Sequence, residues 1–237
     1  MAYSNYYKVR KVSRLGQWLN TYFADFVAKE ALRYTKDNDA VVEIGPGEGR
    51  VADMLKTVRS YIAYEASPSL ASELRKKNII VRESYVPPLL ESDNSQMAVV
   101  ATHVLEHMPD HVRACGFFSE VQRVLIPGGI FLVIAPDFND MKQLFFDADY
   151  SHGYPITANR LSQLAKDSGL RIIRKQFIYG SLPVFPGLFF NLLMKGLFFF
   201  LRFYKENFVF EYKGVFKLEY LFSRAVYMIF QKPENNV

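Results

Sequence analysis

Short, almost wholly apolar runs separated by stretches of helical period set the pattern of this chain. Ala40 to Ile44, Tyr61 to Ala63, Ile79 to Val81, Met97 to Ala101 and Ile130 to Ala135 are such runs. A strand with one wet face would alternate, so these runs predict strands of a parallel sheet covered on both sides. Arg50 to Val58, Pro68 to Lys77 and Asp110 to Leu125 predict the helices between them. Strands alternating with helices mean right-handed βαβ units and a doubly wound, Rossmann-like α/β fold. Ser13 to Tyr34 predicts an N-terminal helix or helix pair. Thr157 to Ser168 predicts a helix capped by its threonine and stopped by Gly169. Arg171 to Ile178 and Arg224 to Gln231 bring the strands to seven. The segment 179–223 between them is longer than any hairpin needs.

Composition narrows this picture. A chain of 237 residues, 50% of them hydrophobic, suits one domain with a full core. Its expected parts are N-terminal helices in 1–35, a core in 40–178 and 224–231, and a hydrophobic insertion in 179–223. Cys115 is the only cysteine, which excludes an internal disulfide or a cysteine-rich zinc site and fits a reducing, cytoplasmic setting. The first nineteen residues lack the apolar run of a secretory leader. A net charge of +5 favours anionic surfaces modestly, and no nucleic-acid partner is expected. Of 21 phenylalanines, thirteen lie at or beyond Phe177, so the two parts of the chain differ in character.

The candidate chemistry starts at Val41 to Arg50, VVEIGPGEGR, where the first strand runs into a turn with Gly45, Gly47 and Gly49 before a helix opens. Glycines let a ligand approach the backbone, and the helix start offers free amide donors. Glu65 ends the next strand, where a carboxylate can accept from both hydroxyls of a ribose. A dinucleotide fingerprint would want Gly or Ala where Arg50 stands, so an acidic-x-Gly-x-Gly-x-Gly turn fits better.

Together with Val104 to Asp110 (VLEHMPD) and Arg123 to Gly129 (RVLIPGG), these residues make the sequence resemble the class I S-adenosylmethionine-dependent methyltransferases. The resemblance spans roughly 40–136. It is nearest in character to the ubiquinone-type enzymes, and through Asp147 to Leu161 to relatives in cell-surface saccharide pathways. It implies a cofactor site of Glu43, Gly45, Pro46, Gly47, Gly49, Glu65, Ala66, Glu83, Ser84 and His103. In that site the glycines pass under the methionine part, Glu43 holds its amino end through the turn, and Glu65 takes the ribose. Glu83 and Ser84 sit by the adenine, and His103 flanks the methionine.

The implied reaction is methyl transfer, with a hydroxyl of a saccharide or lipid-linked intermediate as the expected acceptor. A quinone or prenyl-lipid acceptor is the alternative, and so is a non-catalytic, cofactor-binding partner in a membrane biosynthetic complex. A hydroxyl acceptor needs a proton acceptor near pH 7, and His107 and His152 are the candidate bases. His152 falls in a polar stretch with Asp149, Tyr150 and Tyr154, which predicts a loop. His103 to His107 also reads His-x-x-Glu-His, a pattern that ligates zinc on a long helix. Here a strand precedes it and Pro109 follows, which predicts a loop and first turn, and no metal is assigned.

Val184 to Leu201 is apolar but interrupted by Pro186, Gly187, Asn191, Lys195 and Gly196, which argues against a membrane span. On a helix Lys195, Arg202 and Lys205 fall within about 40° of Asn191, one narrow stripe facing a wide apolar surface. That pattern predicts an interfacial helix, with the cations at headgroups and Phe189, Phe190, Phe199, Phe200 and Phe203 buried in lipid. Leaving the carboxyl end of the sixth strand, the insertion is expected to emerge beside the cofactor site. The expected partners are therefore a small-molecule or lipid-linked acceptor and a membrane surface met peripherally through 184–205. A helix packed on its own domain or on a second subunit is the competing expectation.

Overall fold

The computed structural model describes residues 13–56, 60–180, 184–207 and 222–234. The first twelve residues of the expected N-terminal helices, the end of the helix expected to reach Val58, and 181–183 and 208–221 of the insertion lie outside them. Seven strands form one sheet: β1 (Ala40–Ile44), β2 (Ser60–Tyr64), β3 (Ile80–Arg82), β4 (Gln96–Thr102), β5 (Leu125–Pro136), β6 (Arg171–Tyr179) and β7 (Arg224–Gln231). Their order is β3-β2-β1-β4-β5-β7-β6, with β1 to β5 parallel and β7 antiparallel to both of its neighbours. This is the expected seven-stranded, doubly wound α/β fold.

The helices are α1 (Arg14–Leu32), α2 (Arg50–Leu55), α3 (Pro68–Lys76), α4 (His111–Val124), α5 (Phe138–Met141), α6 (Gln143–Ala148), α7 (Ala158–Asp167) and α8 (Val184–Asn207). Ser13 caps α1 by accepting from the amide of Gly16, and Thr157 caps α7 by accepting from that of Arg160. The helix reading of 110–125 stops one residue early because Leu125 already pairs with Gln96, opening β5 well before Ile130. Helices α5 and α6 have no counterpart in the apolar pattern; each is too short to show a period.

Two cores lie on opposite faces of the sheet. One packs Phe117, Phe118 and Val121 of α4 and Leu161 of α7 against Phe131, Val133 and Phe230. The other packs Val27, Ala28 and Ala31 of α1 and Leu55 of α2 against Val41, Val100 and Leu132. Ile130 to Ala135 is fully buried throughout, which is why that run cannot alternate. Each such branched side chain removed from water is worth about 1.5–3 kcal/mol. Glu30 fixes α1 to the sheet by accepting from Tyr227 (2.6 Å) and Arg174 (2.8 Å).

Candidate functional site

The strand order reverses between β1 and β4, and the carboxyl ends of those two strands carry most of the expected site. An open α/β sheet binds its ligands at such a switch point. The turn after β1 holds Gly45, Gly47 and Gly49 at φ of 65°, 57° and 75°. At Gly49 a side chain is opposed twice, by the left-handed φ and by Leu74 Cδ2, which would lie 2.5 Å from a Cβ and have to shift. Over Gly47 the space is open, for a Cβ there would meet nothing within 4 Å. The turn is thus tight beneath and clear above, as a cradle for a ligand must be.

Glu65 stands one residue beyond β2 and accepts from the amides of Gly47 (3.3 Å) and Ser67 (2.8 Å). Burial raises its pKa, and those amide bonds, with that of Ala66, oppose the rise. Ala66, half-buried, continues this corner, as Pro46 does the glycine turn. Glu43 lies sealed beneath the turn, where it accepts a hydrogen bond from the Tyr61 hydroxyl. Burial pushes its carboxyl up to about 7, against the pull of Tyr61. It can shape the turn from below, while its oxygens face Tyr61. Glu83 pairs with Arg75 of α3 at 2.9 Å, and Ser84 donates to the Tyr85 carbonyl. Both stand at the carboxyl end of β3, Glu83 exposed and Ser84 half-buried.

His103 follows β4 in a left-handed conformation, φ 56°, with its ring 5.9 Å from that of Phe23 in α1. The next residues form the short 3₁₀ turn Leu105–His107, so the expected loop and first turn is what occurs. Glu106 in this turn is fully buried. Desolvation would raise its pKa, but His103 and His107 beside it leave it below the ordinary value.

His152 lies in a loop, as its polar neighbours predict, but on the loop's inner side: it is 6% exposed and its Nδ1 lies 2.6 Å from the Phe145 carbonyl. The carbonyl of Glu106 holds the loop in place by accepting from the amides of Gly153 and Tyr154. His107 and His152 thereby come together, their ring centroids 5.0 Å apart. Burial lowers the His152 pKa and favours its neutral form. His107 Nδ1 lies 2.8 Å from Ser151 Oγ, whose proton goes to Asp149 Oδ1 at 2.6 Å.

The insertion helix α8 also departs from its reading. The described part of its polar stripe meets the domain: Asn191 donates to the Phe222 carbonyl at 2.7 Å, and Lys195 pairs with Asp140 of α5. Asp140 is itself almost buried and also accepts from the amide of Arg224. Lys195 therefore reaches a carboxylate of its own domain, where a headgroup was expected. Leu188, Phe189, Phe190, Leu192, Leu193, Leu197 and Phe199 are exposed on the remaining surface. The side chains of Phe198, Phe200, Arg202, Phe203 and Lys205 lie outside the described residues. Among the described residues no helix is long and apolar enough to cross a membrane. The sheet edge is a further correction: β6 is the outermost strand, so α8 leaves the carboxyl end three strands from β4 and packs by α5.

Comparison with known proteins agrees with this geometry. Residues 15–175 match the family model of the methyltransferase domain. A Mycolicibacterium smegmatis protein named "Probable S-adenosylmethionine-dependent methyltransferase" is 35% identical over 100 residues, which is 41% of this chain and 38% of that one. The chain thus matches well under half the length of that curated relative. Geranyl diphosphate C-methyltransferase from Streptomyces coelicolor A3(2) shares the fold at a TM-score of 0.65 and 13% identity, over 92% of this chain and 82% of that one. The [4+2]-cyclase SpnF does so at 0.64 and 15%, over 96% and 85%. A fold that also serves a cyclase leaves the reaction open. The family itself is shown by the model matching 15–175: this chain belongs to the methyltransferase domain family.

Proposed function

We propose that the chain transfers a methyl group from S-adenosylmethionine to a hydroxyl of a saccharide or lipid-linked intermediate at a membrane surface. Methyl transfer with this cofactor is the family's chemistry, and the residues at the switch point fit it. Gly45, Pro46, Gly47, Gly49 and Ala66 would line it, and Glu65 would exchange its Gly47 amide for ribose hydroxyls. Glu83, Ser84 and His103 border the same edge, and Glu43 buttresses the turn from beneath. When bound, the cofactor supplies an activated methyl on its sulfonium, so the protein's work is alignment and exclusion of water. His107 and His152 handle the acceptor's proton, with His152 kept neutral by burial.

The observation that carries the membrane part of this reading is the outward apolar face of α8. A helix docked through Asn191 and Lys195, with leucines and phenylalanines turned out, offers an interface that lipid can cover. Helices α5 and α6 lie between that face and the histidines, for Asp140 holds α8 and the Phe145 carbonyl holds His152. The similarity in fold to a geranyl diphosphate methyltransferase supports a prenyl-lipid acceptor as the second reading.

The test is transfer of tritiated methyl from S-adenosylmethionine to membrane extract, followed by identification of the product. Label in a saccharide or glycolipid is expected; label in a prenyl lipid selects the second reading. Label confined to soluble protein or nucleic acid overturns both.

A further inference from the structure

Two residues stand in a row behind His107. Asp149 Oδ1 accepts from both the amide (2.9 Å) and the hydroxyl (2.6 Å) of Ser151. Burial opposes ionisation of Asp149, but these bonds and the nearby histidines hold its carboxyl below its ordinary pKa. An ionised carboxylate can only accept, so the single hydroxyl proton of Ser151 is committed to it. Ser151 Oγ, 2.8 Å from His107 Nδ1, must then accept, which puts the proton of the neutral ring on Nδ1 and leaves the lone pair on Nε2. His107 is half-buried while His152 is nearly sealed, so His107 is the ring of the pair that an acceptor reaches.

Glu106 adds a charge. It is fully buried, and neither of its carboxylate oxygens has a hydrogen-bond partner. His103 Nδ1 approaches one of them to 3.3 Å without the alignment of a hydrogen bond. One Glu106 oxygen lies within 4.8 Å of a ring nitrogen of His107 and of one of His152. A buried carboxylate so poorly satisfied is costly, and the cost falls when a cation forms beside it. His152 is held neutral by burial, so the cation that Glu106 lacks is an imidazolium at His107.

We infer that Asp149 and Ser151 are positioning residues that hold His107 in the one tautomer able to take the acceptor's proton, and that Glu106 stabilises the imidazolium so formed. The inference rests on the proposed transfer to a hydroxyl. His107 Nε2 takes the hydroxyl proton as the oxygen takes the methyl, whose former bonding pair stays on the departing sulfur. Positive charge is thereby moved from the sulfonium to His107, where fixed negative charge already waits.

Two measurements on the full chain test this. Two-bond proton–nitrogen correlation spectra, with His107→Gln to assign the ring, should show neutral His107 protonated at Nδ1. Ser151→Ala should abolish that preference, and Ser151→Thr, which keeps the hydroxyl, should retain it. In tritiated methyl transfer to membrane extract at saturating S-adenosylmethionine, Asp149→Asn and Glu106→Gln should each slow the rate by about 10- to 100-fold near pH 7. The deficit should narrow toward about pH 9, as hydroxide takes over the proton. Unchanged S-adenosylmethionine binding by each variant reports that it is folded. His107 protonated at Nε2 in the parent chain, an Nδ1 preference that survives Ser151→Ala, or losses equal at every pH in folded variants overturns the arrangement. The tautomer is read with no acceptor present, so label on another class of acceptor fails the proposed function and leaves the spectra to decide this inference.

Discussion

The amide of Gly47 donates to Glu65 Oε2 across 3.3 Å, joining the glycine turn after β1 to the corner after β2. Two elements eighteen residues apart thus share one hydrogen bond at the sheet's carboxyl edge. On the proposed reading, a ribose would take this carboxylate in place of the Gly47 amide. Glu65→Gln should keep the fold and lower S-adenosylmethionine affinity by about 10-fold or more, the loss of charged hydrogen bonds worth roughly 1.5–3 kcal/mol. Calorimetric titration checks it, and an unchanged affinity would remove Glu65 from the cofactor site.

Gly49 makes a sharper demand. Its φ of 75° and the Leu74 methyl 2.5 Å from a would-be Cβ both oppose any side chain. Gly49→Ala should cost about 2–4 kcal/mol through strain and overpacking. For a chain of this size that lowers the melting temperature by roughly 4–16 °C in a thermal scan.

The buried Glu43 gives stability a pH dependence. Its carboxyl rises from 4.5 to about 7 on folding, so the native state binds the proton more tightly than the unfolded chain. The stability this lends is complete below about 4.5 and is lost as pH climbs through 7. The span corresponds to on the order of 3 kcal/mol. Glu43→Gln cannot ionise and still accepts from Tyr61, so its denaturation midpoint should decline less than the parent's between pH 5 and about 8. Parallel declines would show that Glu43 is not the group responsible.

Asp140 is the point on which α8 is docked. It meets Lys195, Asn191 and the Arg224 amide while almost buried. Asp140→Asn should leave the two cores intact and release α8. Hydrogen exchange should then quicken in 186–200 with little change in β4 or β5. Equal quickening throughout would make Asp140 a residue of global stability instead.

If α8 meets lipid through its outward face, charge placed there should expel it. Leu192→Glu with Phe199→Glu should reduce partition onto anionic vesicles by about 10-fold or more, since each substitution removes an apolar anchor worth on the order of 1 kcal/mol or more. Sedimentation with vesicles reads this directly, and unchanged partition would end the membrane proposal.

The chain's local pattern determined the seven strands, most helices and the glycine turn. Continuous apolar runs mark buried parallel strands, and a turn needing positive φ marks itself with glycine. Ala40–Ile44 and Arg224–Gln231 could be bounded to the residue for that reason. The same locality made Glu65 legible, since the end of one strand lies beside the end of the next. Tertiary structure alone decided what depends on distant partners. His152 reads as a polar-loop residue among Asp149, Tyr150 and Ser151, yet the Phe145 carbonyl and the backbone of Glu106 draw it inside to meet His107. Helical period marked a polar stripe on α8 but not what it would face. Asp140, more than fifty residues earlier, drew Asn191 and Lys195 toward the domain and left the apolar side outward, because a nearly buried carboxylate left without a donor or cation is costly.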